Sequence, residues 1–121
     1  MVGALFDTNI LIDYLNNVGD ARDELARYRS KAISVITWIE VLVGAKAGTE
    51  LGTRAFLDRF DLIGLDDRTA ERAVELRRQH GIRLPDAVIW ATAQIRAVLL
   101  VTRNTKDFPP GDPGVRIPYR R

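Results

Sequence analysis

Val2-Gly3-Ala4-Leu5-Phe6-Asp7-Thr8-Asn9 sets an apolar run against an acid, a hydroxyl and an amide, and a helical pattern begins where the run stops. A run without polar alternation fits a strand covered on both faces, as in a parallel sheet, although so short a run does not by pattern alone exclude buried helix. The continuation favours the strand, because Ile10, Leu11, Tyr14 and Leu15 recur at helical spacing and Thr8 or Asn9 can cap that helix. In open α/β sheets ligands gather beyond the carboxyl ends of strands, where Asp7 stands. The simpler alternative is that Asp7 only caps the helix.

Strand and helix signals alternate downstream. Asp20 can cap a second helix with Leu25 and Tyr28 inward, and Ala32-Ile33-Ser34-Val35 reads as a second strand. Trp38, Ile39, Leu42 and Val43 predict a helix ending near Ala47, followed by another over about Glu50 to Arg59. Phe60 to Leu65 reads as a third strand near a sheet edge. Asp66 or Asp67 then opens a long helix through Ala70, Ala73, Val74 and Leu76, stopped at His80-Gly81. Leu84-Pro85-Asp86 starts a helix apolar on nearly every face, which implies burial. Val98 to Val101 is a fourth strand and Val115 to Ile117 a short fifth. The expectation is one α/β domain over residues 1–121, with a mainly parallel, about five-stranded sheet.

The 121 residues carry 18 basic and 16 acidic side chains and no cysteine. Disulfides, thiolate metal sites and cysteine nucleophiles are excluded, and the mixed charge permits nucleic-acid binding without requiring it. No run approaches the roughly 18 apolar residues that span a bilayer, and no secretory pattern opens the chain, so a soluble, cytoplasmic protein without a membrane role is expected.

Four acids stand where charge is costly: Asp7 and Asp107 after buried strands, Glu40 in an apolar helix, and Asp86 at the head of a buried helix. Singly, each has an ordinary explanation as a cap, a turn residue or a solvated edge. Jointly, the ends of strands one and four share a rim, and like charges about 4 Å apart repel by about 4 kcal/mol at an effective dielectric near 20. Such a cluster calls for a cation or raised pKa values, and hard carboxylate oxygens suit Mg²⁺ or Mn²⁺. Zinc is disfavoured, since the lone His80 sits beside a helix-stopping glycine. No phosphate-binding glycine loop is present, and the signal for a serine-histidine-acid arrangement is weak, because Ser30 and Ser34 have no motif around them.

Phe6-Asp7-Thr8-Asn9, Ser34-Val35-Ile36-Thr37-Trp38-Ile39-Glu40 with Gly44, Leu84-Pro85-Asp86-Ala87-Val88-Ile89-Trp90-Ala91-Thr92-Ala93 and Val101-Thr102-Arg103-Asn104-Thr105-Lys106-Asp107-Phe108, in that order, resemble a PIN-domain ribonuclease of the VapC toxin type. The resemblance implies a compact three-layer α/β/α fold and a metal-dependent endoribonuclease. It also implies homodimers and a cognate antitoxin that blocks the site by inserting a basic side chain among the acids. Carried over by position, Asp7, Glu40, Asp86 and Asp107 form the acidic quartet, with Thr8, Asn9, Thr102 and Asn104 in support. The stretch between Glu40 and Asp86 is short for the family, which puts a lid or an intervening helix in question.

On this reading Asp7 and Asp86 hold the metal, and Glu40 and Asp107 orient water or a second ion. Arg83, Arg103 and Lys106 are candidate contacts to RNA phosphates, against the plainer reading of solvated charges. Trp38 and Trp90 read as core residues rather than stacking platforms. Two other readings stay open: a PIN-like RNA-processing nuclease without an antitoxin, and a non-catalytic RNA- or protein-binding module.

Overall fold

A computed structural model describes residues 3–121. Val2, included in the predicted first strand, lies outside the described residues. Five parallel strands form one sheet: β1 (Ala4–Phe6), β2 (Lys31–Ser34), β3 (Asp61–Ile63), β4 (Leu99–Val101) and β5 (Val115–Arg116), in the order β3-β2-β1-β4-β5. Helices α1 (Thr8–Leu15) and α2 (Gly19–Ala26) join β1 to β2, α3 (Val35–Val43) and α4 (Glu50–Leu57) join β2 to β3, and α5 (Asp67–His80) and α6 (Leu84–Arg96) carry the chain back to β4.

The layers follow from strand order and residue alternation together. Strands are first added in one direction from β1, then on its other side. With right-handed crossovers, that reversal moves the connecting helices to the opposite face. Successive β1 side chains accordingly enter different cores. Ala4 and Phe6 pack with Ile10, Leu11, Leu25, Val41 and Phe56 of the first four helices, whereas Leu5 packs with Leu76, Ala87, Ile89 and Trp90 of the last two. Burial on both faces explains why β1 shows no polar alternation. The result is the expected α/β/α sandwich, and Trp90 is a core residue at 2% exposure.

Several boundaries depart from the expected ones for local reasons. The first helix is capped by Asp7 rather than by Thr8 or Asn9, because Asp7 keeps an extended backbone and its carboxylate accepts the Thr8 N–H. The second strand stops at Ser34 instead of Val35, since the Ser34 hydroxyl accepts the Ile36 N–H and turns the chain into α3. That helix ends at Val43 rather than near Ala47, with Gly44 at its C-cap, and α4 ends at Leu57 rather than Arg59. Asp20 lies in the first turn of α2, with Val18 at the cap. The third strand is shorter than Phe60 to Leu65, with the Phe60 N–H bonding Leu57 O in the turn that closes α4, and Val74, expected on the apolar stripe of α5, is 42% exposed. Gly81 ends α5 in the left-handed region at φ 67°, a conformation that favours glycine.

Candidate active site

The direction of strand addition reverses between β1 and β4, so their carboxyl ends flank the crevice where ligands bind in open parallel sheets. Asp7 follows β1 and Thr102 follows β4. A cleft of about 290 Å³ opens there, lined by Asp7, Thr8, Asn9, Ile12, Glu40, Arg83, Asp86, Arg103 and Asn104. Three of the four acids singled out in the sequence therefore share one cleft. Asp107, on the loop after β4, is near enough for its charge to raise the Asp86 pKa, and Lys106 is exposed on the same loop.

Asp7 is buried at 4% exposure yet richly bonded. Its Oδ1 accepts the Thr8 N–H at 2.7 Å, while Oδ2 accepts the Thr102 hydroxyl at 2.7 Å and the Asn9 amide at 3.1 Å. Burial nevertheless pushes its pKa up to about 6; the Thr102 and Thr8 bonds oppose the rise, and the charges of Asp86 and Glu40 add to it. The capping role first weighed as an alternative is real, but it does not account for these two acidic neighbours.

Asp86 sits in the first turn of α6, where the helix dipole favours a carboxylate. Burial raises its pKa, the Arg83 guanidinium at 3.1 Å opposes this, and Asp107 raises it further. Glu40 is placed by α3, and its Oε1 accepts the Thr8 hydroxyl at 2.6 Å, with the Thr37 hydroxyl 3.0 Å from that of Thr8. Thr37 is fully buried and links the two acid-bearing helices. Within the quoted stretch Ser34 to Glu40 the sequence carried no cue to that role, because a threonine in an apolar helix reads as filler.

The loop after β4 forms the remaining wall. The Thr102 hydroxyl, besides donating to Asp7, accepts the Asn104 N–H at 3.0 Å and the Asn9 amide at 3.2 Å. Asn104 Oδ1 accepts the N–H groups of Lys106 and Asp107, and its amide donates to Asp107 Oδ2 at 2.9 Å. Of the candidate cations, Arg83 is 70% exposed at the cleft mouth. Arg103 instead turns its guanidinium onto Asp13, a buried acid that the sequence reading did not single out. Periodicity offers no signal for Asp13, since an acid on an amphipathic helix reads as solvated.

Asp7 and Asp86, whose pKa values are raised by burial and then by neighbouring carboxylates, make an arrangement that a divalent cation relieves, and oxygen donors without sulfur fit Mg²⁺ or Mn²⁺. Among the described residues no three histidine or acidic side chains stand close enough together to hold a metal ion between them. That is compatible with Mg²⁺, which keeps several waters and commonly takes only one or two carboxylates together with substrate phosphate.

Comparison with known proteins agrees with this geometry. The PIN domain family model matches residues 4–109. The chain is 33% identical over 113 residues to Ribonuclease VapC10 of Mycobacterium tuberculosis, covering 87% of this chain and 85% of that protein. Among solved structures, a chain of a toxin-antitoxin complex from Klebsiella pneumoniae superposes with TM-score 0.93 at 49% identity, covering 98% of this chain and 99% of that one. VapBC-5 of Mycobacterium tuberculosis superposes with TM-score 0.68 at 25% identity over 96% and 97% of the two chains. A match over most of the length, together with acids meeting at the switch point of the sheet, establishes that this chain belongs to the PIN-domain family and is of the VapC type.

Proposed function

We propose that the chain is a divalent-metal-dependent endoribonuclease that acts as the toxin of a toxin–antitoxin pair. The observation that carries this reading is the meeting of Asp7, Glu40 and Asp86 in one cleft, with the Asp107 charge close enough to raise the Asp86 pKa. Mg²⁺ or Mn²⁺ bound there would lower the pKa of water and offset phosphate charge. Asp7 Oδ1, which accepts only the Thr8 N–H, and the Asp86 carboxylate are the groups that would hold it.

The chain's own groups divide the remaining work. Thr102 and Asn9 fix Asp7 from one side, so its free lone pairs face the cleft. Thr8 occupies Oε1 of Glu40, which leaves Oε2 to orient the attacking water and accept its proton. Attack forms a new phosphorus–oxygen bond while the bond to the leaving ribose oxygen breaks. Asp107, steered by Asn104, orients water or a second ion. Arg83 at the mouth and exposed Lys106 neutralise flanking phosphates.

The Klebsiella relative comes from a toxin-antitoxin complex, which supports an antitoxin partner here. An apolar groove of about 650 Å³ between α1, α3 and α4 shares Ile12 with the acidic cleft. A partner segment seated in that groove would reach the acids with a basic side chain. Exposed Leu62, Leu65 and Val74, at 52, 48 and 42%, support a homodimer. Protein freed of antitoxin is to be assayed on total RNA with mapping of cut ends. Cleavage should vanish with EDTA, return with Mg²⁺ or Mn²⁺, and be lost in Asp86→Asn. The same cut pattern from that variant would defeat the reading.

A further inference from the structure

We infer that Arg103, Asp13 and Tyr119 form a bracket that positions the Thr102–Asp107 loop over the acidic cleft, and that Arg103 is a positioning residue rather than a phosphate contact. The catalytic part of this inference rests on the ribonuclease reading above.

Asn9 and Asp13 are one helical turn apart and share a face of α1. Both grip Arg103. Asn9 Oδ1 accepts its backbone N–H at 3.3 Å, and Asp13 takes its guanidinium in two bonds, Nε to Oδ2 at 2.6 Å and Nη2 to Oδ1 at 3.0 Å. The Tyr119 hydroxyl, from the segment after β5, adds a third bond to Asp13 Oδ2 at 2.8 Å. Main chain and side chain of one residue are thus fixed to one helix. The neighbours of Arg103 are the two loop residues that matter most, since Thr102 bonds Asp7 and Asn104 bonds Asp107. Any shift of Arg103 moves both.

The alternative role for Arg103 has little room. Its side chain is 31% exposed, against 70% for Arg83, and two of its nitrogens are committed to Asp13. Reaching for a phosphate would strand Asp13, a 4%-exposed carboxylate, without its counter-ion. The planar two-pronged contact also fixes orientation, which a lysine ammonium does not.

Two measurements test the bracket on Arg103→Lys, Asp13→Asn, Tyr119→Phe and the Arg103→Lys/Asp13→Asn double variant. Hydrogen exchange in protein without RNA or metal should speed up at the Asn104 and Asp107 amides, while the Leu100 amide of the central sheet keeps its wild-type rate. Cleavage with Mn²⁺ should show kcat reduced roughly 10–100-fold in Arg103→Lys and Asp13→Asn and less in Tyr119→Phe, with KM unchanged and the double variant no worse than the poorer single one. Asp13 is buried and neither it nor Tyr119 lines the cleft, so a kcat loss in Asp13→Asn and Tyr119→Phe separates positioning from contact. A raised KM and a salt dependence weaker by about one phosphate in Arg103→Lys, with Asp13→Asn silent, would overturn the inference. So would unchanged exchange at Asn104 and Asp107. A wild type that cuts no RNA would defeat the ribonuclease reading alone, because the exchange measurement still decides whether the bracket holds the loop.

Discussion

The Thr102 hydroxyl donates to Asp7 Oδ2 at 2.7 Å, joining residues 95 apart in sequence across the point where the strand order reverses. Those residues follow neighbouring parallel strands whose register pairs Phe6 with Val101. The bond therefore ties the two walls of the cleft and shapes how the buried acid ionises.

Asp7 should make the metal-free protein less stable as pH rises. Its folded pKa of about 6 exceeds the ordinary 3.8, so the native state holds the proton more tightly than the unfolded chain. Its stabilising contribution is complete below about pH 4 and is lost as pH rises through about 6. The penalty at neutral pH is on the order of 2–3 kcal/mol. Asp7→Asn removes the ionisable group and cleavage with it. Because its single amide oxygen cannot serve both the Thr8 N–H and the Thr102 and Asn9 donors, its effect is read in the pH slope: the metal-free Tm of the variant should stay flatter from pH 4 to 8 than that of wild type. Adding Mg²⁺ or Mn²⁺ should raise Tm in wild type and not in the variant. Thermal melts across pH 4–8 check this, and the same fall in Tm with rising pH in the variant and in wild type would contradict it.

Thr102→Val should act through Asp7 and through the loop at once. The substitution leaves Asp7 Oδ2 with the Asn9 amide alone and strips the Asn104 N–H of its acceptor, at a cost of about 1–3 kcal/mol. Because the Thr102 bond holds the Asp7 pKa down, its loss should move the Asp7 titration above 6. Thr102→Ser keeps the hydroxyl and should restore both properties. Carboxyl NMR titration of the metal-free protein reads the shift, and a lower Asp7 pKa in Thr102→Val would refute the assignment.

The fold was legible because its strongest signals are coarse: apolar runs without alternation at Ala4–Phe6 and Leu99–Val101, and a helix apolar on nearly every side from Ala87 to Ala93. The acids were legible because charge beside such runs is costly. What stayed hidden depends on partners distant in sequence. Asp13 needs Arg103 and Tyr119, and Glu24 needs Arg116, each met only after the chain has crossed the sheet. Thr37 gains its role only because α1 brings Thr8 beside it.

Thr8→Val should weaken catalysis and also cost the fold about 1–3 kcal/mol, because the fully buried Thr37 hydroxyl loses its partner. Glu40 Oε1 loses the 2.6 Å bond that orients it, while the residue keeps its volume and the Asp7 cap uses only the Thr8 backbone. We expect kcat to fall roughly tenfold or more, with Thr8→Ser near wild type. Equal kcat in Thr8→Val and wild type would show that Glu40 needs no orientation from this hydroxyl.

Gly52→Arg should separate toxin chemistry from antitoxin control. Gly52 lies in α4 and lines the apolar groove, and a Cβ added there meets nothing within 4 Å. Replacing glycine in a helix gains about 0.5–1 kcal/mol, so folding should not suffer. The new guanidinium would fill the groove. RNA cleavage should persist while inhibition by the antitoxin weakens at least tenfold. Wild-type inhibition of this variant would place the antitoxin elsewhere.

Arg116→Met tests a second hidden ion pair whose role is structural. Glu24 is 4% exposed and accepts two bonds from Arg116, at 2.7 and 3.0 Å, and one from Tyr28 at 2.9 Å. Burial raises the Glu24 pKa, but the Arg116 and Tyr28 bonds outweigh it, leaving Glu24 below its ordinary value. The pair therefore stabilises the protein above the unfolded pKa of 4.5, and that gain is lost as pH falls below it. Removing the guanidinium leaves the buried carboxylate only the Tyr28 hydroxyl and the largely exposed Arg27 guanidinium at 3.7 Å. About 2–4 kcal/mol should be lost at pH 7, discounted from a fully buried pair because Arg116 is 33% exposed. The loss should shrink toward pH 4, where Glu24 takes up a proton. Because this pair joins α2 to β5 and none of its residues lines the acidic cleft, kcat below the lowered Tm should match wild type. A kcat loss in the folded variant comparable to that of Asp13→Asn would mean that any break along the carboxyl-terminal segment disturbs the cleft, and that the grip on Arg103 is not specific.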